Sequence, residues 1–289
     1  VADAESLQGP VAELKRLLLV EELETDLYRG NATPDMPGRV FGGQVVAQAL
    51  ACAIASIGDE RVAHSLHAYF LRAGDNTQPI HYRVLRDFDG GTFANRRVVA
   101  LQNGEPILNL AASFQRREEG LTHYAPPPEV PGPDQAKPLE SWMKRSSASA
   151  PETITSRLAA FDVRVGMPDR KGSAMSGAPS QHSWFRLDPA LGPELARTAL
   201  ACISDFGLIT TAMQPHGMQW FSPEIQGASL DHTVWFHEDP PLGDWLLYAM
   251  ESPWSGHARG FARGTVYDQA GRLIASVAQE GLMRYRPKS

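Results

Sequence analysis

Residues Phe41-Gly42-Gly43-Gln44-Val45-Val46-Ala47-Gln48-Ala49-Leu50 place a glycine pair directly ahead of a run of helix-forming apolar and amide side chains. Glycine lets backbone N–H groups at a helix start come close to a ligand, and those unpaired donors and the helix dipole favour a developing negative charge. The chemistry this suits is holding a carbonyl oxygen as it becomes an oxyanion. A well-packed core helix with a glycine entry fits the same residues. Other constellations are weaker. No Gly-x-Ser-x-Gly is present, which leaves a nucleophile elbow unsupported. His64 and His67 on one expected strand point to opposite faces, as do His232 and His237, so neither pair ligates one metal from its own segment. Neither HExxH nor paired cysteines at zinc spacing occur. His64 alone is kept in reserve as a proton acceptor, although a lone strand histidine is more often structural.

The elements that must position such chemistry come as a repeat. Sliding the chain by about 167 positions brings Arg96 onto Arg263, Gly104 onto Gly271, Ile107 onto Ile274, Leu110 onto Val277 and Ala111 onto Ala278. Both copies read strand, turn, strand, with the glycine-bearing turns Gln102-Asn103-Gly104-Glu105 and Asp268-Gln269-Ala270-Gly271 suited to antiparallel hairpins. Alternation over Val62 to Leu71 marks a half-buried strand. Each half opens on a helical run, about Gly43 to Ser56 and about Glu194 to Met213, the second broken near Ser204. A helix followed by an antiparallel sheet is an α+β layer. The expected division is residues 1–116, a proline-rich surface linker over 117–156 with Pro126-Pro127-Pro128 and Ser146-Ser147-Ala148-Ser149, and residues 157–289.

Composition narrows the class. With 289 residues the chain can bury a sizeable core, and its net charge of −6 with no basic cluster argues against nucleic acid as a partner. No stretch approaches the roughly 18 apolar residues of a membrane span, and Val1-Ala2-Asp3-Ala4-Glu5 lacks the pattern of a signal peptide. A soluble, cytoplasmic protein is expected. Arg286-Pro287-Lys288-Ser289 is not the Ser-Lys-Leu peroxisomal address. Cys52 and Cys202 each sit in an apolar helical pattern, which suggests buried thiols and not a disulfide.

Several blocks stand in one order along nearly the whole chain: the Phe41–Leu50 segment, Val62-Ala63-His64-Ser65-Leu66-His67-Ala68-Tyr69-Phe70-Leu71, Asp89-Gly90-Gly91-Thr92-Phe93, Gln214-Pro215-His216-Gly217, Ala228-Ser229-Leu230-Asp231-His232, Trp245-Leu246-Leu247-Tyr248 and Ala278-Gln279-Glu280-Gly281. Together they resemble the acyl-CoA thioesterase II family. The resemblance implies a double hotdog, two fused units of one helix and a curved antiparallel sheet. It also implies hydrolysis of fatty acyl-CoA to free acid and coenzyme A, without a metal or redox cofactor, by a homo-oligomer.

Asp205, Ser229 and Gln279 match the family's catalytic positions, with serine where members commonly carry threonine. A carboxylate, a hydroxyl and an amide there would hold a water that attacks the thioester carbonyl directly. Residue by residue, other roles stay open. Asp205 is suited to capping a helix N-terminus, Ser229 to pairing across strands, and Gln279 to satisfying a buried backbone group. The repeat puts Ala112 opposite Gln279, so symmetry alone does not demand an amide there. Arg96, Arg97, Arg259 and Arg263 are candidates for contact with the phosphates of coenzyme A. An enoyl-CoA hydratase and a non-catalytic acyl-CoA binding module are the alternatives that the hotdog resemblance admits.

Overall fold

The structure, a computed structural model, describes residues 9–33, 38–58, 60–143, 158–166, 178–220 and 222–287. The first half holds α1 (Pro10–Leu18), β1 (Val20–Glu24), β2 (Leu27–Gly30), α2 (Gly42–Ala55), β3 (Val62–Phe70), β4 (Ile80–Asp89), β5 (Phe93–Gln102) and β6 (Glu105–Gln115). The short β7 (Lys137–Pro138) and α3 (Leu139–Met143) follow. The second half holds β8 (Arg164–Val165), β9 (Ser180–Arg186), α4 (Ala196–Ser204), α5 (Thr210–Met213), β10 (Ile225–Ser229), β11 (Asp231–Phe236), β12 (Trp245–Gly256), β13 (Arg259–Tyr267) and β14 (Leu273–Tyr285).

All of these strands join one antiparallel sheet, in which β2-β4-β5-β6-β3 of the first half is matched by β9-β12-β13-β14-β11 of the second. The two runs meet where β3 pairs with β11, with His67 opposite Thr233. Each half sets an apolar helix against its own sheet. In α2 every residue from Gly43 to Leu50 is buried, the signature of a helix without a solvent face. Its one long polar side chain in mid-helix, Gln48, is fully satisfied. The amide donates to the carbonyls of Leu17 and Asn31 at 2.8 and 3.1 Å, and its oxygen accepts from Tyr82 at 2.7 Å. The chain is thus a double hotdog of α+β class.

The repeat is real, but its register differs from the single offset read in the sequence. Leu101 pairs with Pro106 and Tyr267 with Leu273, so the second hairpin is one residue longer than the first. Along β6 and β14 the offset of 167 holds, whereas along β5 and β13 it is 166. Arg263 therefore corresponds to Arg97, and Arg96 corresponds to Ala262. On β4 and β12 the same shift equates Tyr82 with Tyr248, both fully buried. Burial pushes both phenols well above their ordinary range, so each serves as a neutral donor, Tyr82 to Gln48 and Tyr248 to the Ser204 carbonyl at 2.8 Å.

The expected break in the second helical run falls between Ser204 and Thr210. Gly207 takes a left-handed φ of 81° there, a conformation glycine adopts without penalty, and Gln181 Nε2 donates to its carbonyl at 2.7 Å. Part of the expected surface linker does more than connect. β7 extends the sheet by pairing with β8, and Ala136, Leu139 and Met143 are buried. The serine run 146–149 lies outside the described residues. Cys52 and Cys202 are buried and form no disulfide, and burial pushes the Cys52 thiol far up.

Candidate active site

The chain brings Asp205, Ser229 and Gln279 together from three elements. Asp205 follows the last residue of α4 in right-handed helical conformation, so it sits at a helix C-terminus and not at the N-cap that its sequence context also suits. Gln279, on β14, is fully buried. Its Nε2 donates a short hydrogen bond to Oδ1 of Asp205 and lies 3.3 Å from Oγ of Ser229. Ser229 ends β10, opposite Gly281 on β14. Gln279 is thus the bridge, and its own Oε1 has no hydrogen-bond partner among the described residues although it is buried. A buried amide oxygen left open is costly, and such a group asks for a water or a ligand.

The first half supplies the other wall. A Cβ built on Gly42 would stand 2.8 Å from Oδ2 of Asp205 and 2.9 Å from Cζ of Phe70. A Cβ on Gly43 would run into the carbonyl oxygen of Cys202, on α4. The glycine pair is therefore what lets the start of α2 reach the end of α4. No side chain caps α2, and its first backbone bonds run from Gln44 and Val45 to the Phe41 carbonyl. The N–H groups of Gly42 and Gly43 precede those bonds, and the Cβ position of Gly42 faces Oδ2 of Asp205.

A further residue, absent from the sequence-based set, stands beside these three. His232, fully buried on β11, places Nδ1 4.0 Å from Oδ1 of Asp205 and Nε2 2.9 Å from the hydroxyl of Ser204. Its signal in the sequence was period two: with Val234 and Phe236 it occupies the inner face of a strand, where a histidine needs partners. His64 instead bonds Ser113 in the first half at 2.9 Å and packs edge-on against Phe93.

In the first half the matching position is closed. Ala112 stands where Gln279 stands, and the Arg96 paired with it is 2% exposed. Arg96 donates to Ser56 Oγ at 3.0 Å, to the carbonyls of Phe88 and Asn95, and to Asp89 at 2.7 Å. Packed inside that half, it is not at a pocket mouth, which removes it from the phosphate candidates. Arg97, Arg259 and Arg263 are half exposed and pair with Asp87, Glu280 and Glu251. Among the described residues no three His, Cys, Asp or Glu side chains are grouped to hold a metal ion, and no helix is long and apolar enough to cross a membrane.

The paired hotdog units carry a buried carboxylate and amide, a half-buried serine hydroxyl and an uncapped helix start, on the fold of the hotdog thioester hydrolases. Two family models match the chain, the acyl-CoA thioesterase N-terminal domain over residues 32–115 and the C-terminal domain over 127–283. The chain is 35% identical to acyl-CoA thioesterase 2 of Haemophilus influenzae, covering 94% of this chain and 97% of the relative. It is 34% identical to human acyl-coenzyme A thioesterase 8, covering 96% and 92%. The crystal structure of the acyl-CoA thioesterase II TesB2 from Mycobacterium marinum superposes with a TM-score of 0.78 at 35% identity, covering 94% of this chain and 98% of that one. The protein belongs to the acyl-CoA thioesterase II family.

Proposed function

We propose that the protein hydrolyses fatty acyl-CoA to free acid and coenzyme A by direct attack of a water held by Asp205, Ser229 and Gln279. The observation that carries this reading is Gln279, whose Nε2 joins the carboxylate to the hydroxyl while Oε1 stays open. An amide fixed in that way offers a water an acceptor beside a general base. The water oxygen attacks the thioester carbonyl carbon, Asp205 takes the water's proton, and the carbonyl oxygen gathers charge against the N–H groups of Gly42 and Gly43. Collapse of the tetrahedral species breaks the C–S bond. The coenzyme A thiolate leaves, and the product acid retains the new oxygen. No acyl-enzyme forms.

Release of free thiol across a panel of acyl-CoA chain lengths tests the reaction, and it is expected to survive exhaustive chelation. Asp205→Asn keeps the acceptor for Gln279 but removes the base, so turnover should fall about a hundredfold or more with little change in thermal unfolding. Full turnover in Asp205→Asn would sink the assignment. Loss of enoyl absorbance without thiol release would indicate a hydratase, and binding without turnover a sensing module. The same reading takes the protein to be cytoplasmic and homo-oligomeric, built of a first hotdog over 1–116 and a second over 157–289.

A further inference from the structure

His232 has no solvent-exposed surface, and β11 begins its pairing with β14 at Thr233 opposite Ala278. It therefore sits one residue before that pair, beside Gln279 on the neighbouring strand. Its two ring nitrogens address consecutive residues: Nε2 the hydroxyl of Ser204 at 2.9 Å, Nδ1 the Oδ1 of Asp205 at 4.0 Å. Nδ1 has no hydrogen-bond partner among the described residues. Packing alone would be met by an apolar side chain of similar volume, without burying two polar atoms.

What each nitrogen faces decides which one carries the ring proton. Burial holds the imidazole below its ordinary value, with Asp205 opposing that shift, so the ring is neutral and has one proton to place. A bare lone pair on Nδ1 would face a carboxylate oxygen where repulsion is poorly screened. A proton on Nδ1 makes the same contact attractive. Nε2 is then the acceptor, and the Ser204 hydroxyl donates to it in preference to the Ala201 carbonyl at 3.1 Å. At 4.0 Å the Nδ1 contact is longer than a hydrogen bond. It acts as an N–H dipole on a nearby charge and not as a proton path.

We propose that His232 is a positioning residue for the hydrolysis: the Asp205 carboxylate fixes its tautomer, Ser204 satisfies its Nε2, and its Nδ1–H acts with Nε2–H of Gln279 on Oδ1 of Asp205, so that Oδ2 stays turned toward Gly42. One carboxylate oxygen is anchored from the sheet, and the other is left for the water. This rests on Asp205 being the proton acceptor.

His232→Gln and His232→Asn separate the two nitrogens. The longer amide keeps a partner for Ser204 and removes the donor near Asp205; the shorter one places an amide N–H at the Nδ1 position. For His232→Gln, kcat is expected to fall about tenfold, the usual scale for a residue that orients a site group, with KM changed by less than about twofold. His232→Asn should recover most of that loss. Nitrogen NMR of the wild-type imidazole should show the proton on Nδ1, and it should stay there in Ser204→Ala, because the Asp205 carboxylate still faces that nitrogen. A His232→Gln enzyme with wild-type kcat, equal loss in both variants, or a wild-type proton on Nε2 each overturns the proposal. If neither His232 variant folds, the tautomer in wild type and Ser204→Ala decides alone. Asp205→Asn run alongside keeps the two ideas apart. Full turnover there removes the proton acceptor itself, whereas an inactive Asp205→Asn with an unaffected His232→Gln removes only the role of His232.

Discussion

Gly42→Ala adds one methyl group at the point where the two halves of the site face each other. The new Cβ would stand 2.8 Å from Oδ2 of Asp205 and 2.9 and 3.0 Å from two carbons of the Phe70 ring. Ordinary contact begins at about 3.4 Å, so the carboxylate oxygen and the ring must each recede by roughly half an ångström. A misplacement of about 1 Å in a reacting group costs on the order of a hundredfold, so half of that predicts roughly a tenfold fall in kcat, about 1.4 kcal/mol of barrier. The helix itself gains from the exchange, by up to about 1 kcal/mol for glycine to alanine, less in a first turn. Melting temperature should therefore hold or rise slightly while thiol release from saturating acyl-CoA drops. Gly43→Ala is the contrast. Its Cβ meets the backbone carbonyl of Cys202, which cannot swing aside, so α2 and α4 must separate at a cost of about 1 to 3 kcal/mol of stability. A folded Gly42→Ala enzyme with unchanged kcat would refute the placement of the working oxygen.

Further outcomes follow from other contacts. Ser229→Thr should keep or modestly raise activity, because it retains the hydroxyl on a stiffer side chain, and Ser229→Ala should lose it; unchanged turnover in the alanine enzyme would take Ser229 out of the site. Arg96→Met strips partners from Ser56, Phe88, Asn95 and Asp89 and should cost about 3 kcal/mol in denaturant unfolding, with kcat per folded molecule preserved. His64, His182, His232 and His237 are all held below the ordinary histidine range, chiefly by burial. The unfolded chain then binds more protons, so this stability is complete above about pH 6.5 and is lost as pH falls below it. Melting temperature should decline from pH 7 to 5, and His182→Gln should flatten the decline; a rise on acidification would contradict it.

Alternation and glycine-bearing turns made the repeat legible, because a strand buried on one face must alternate and a tight hairpin needs a left-handed residue. Asn103 and Gly104 both take positive φ in the first hairpin. The register of Arg96 was not legible, since one extra residue in the Tyr267–Leu273 connection shifts β13 against its counterpart and only strand pairing reveals it. Asp205 was ambiguous for a related reason. Apolar residues flank it on both sides, and the pattern does not say whether a residue at a break closes the helix before it or opens the one after. In the sequence His232 is one of a histidine pair that cannot ligate a single metal, and what singles it out is the Asp205 carboxylate, 27 residues away in sequence and brought close only by the fold.

The pairing of β3 with β11 has a consequence for how such a site can change over time. Asp205 and Gln279 come from one half, Gly42 and Phe70 from the other, so these residues meet only when both halves are docked. Between separate chains that docking would depend on concentration; on one chain it is intramolecular and survives any dilution. In a dimer of identical chains, moreover, every substitution appears twice, and an arginine placed in one copy of the site would enter both. Joined in a single chain, the copies answer to selection separately. Gln279 beside Ala262, and Ala112 beside Arg96, are the two outcomes: one copy carries a buried amide bonded to Asp205, the other a buried arginine.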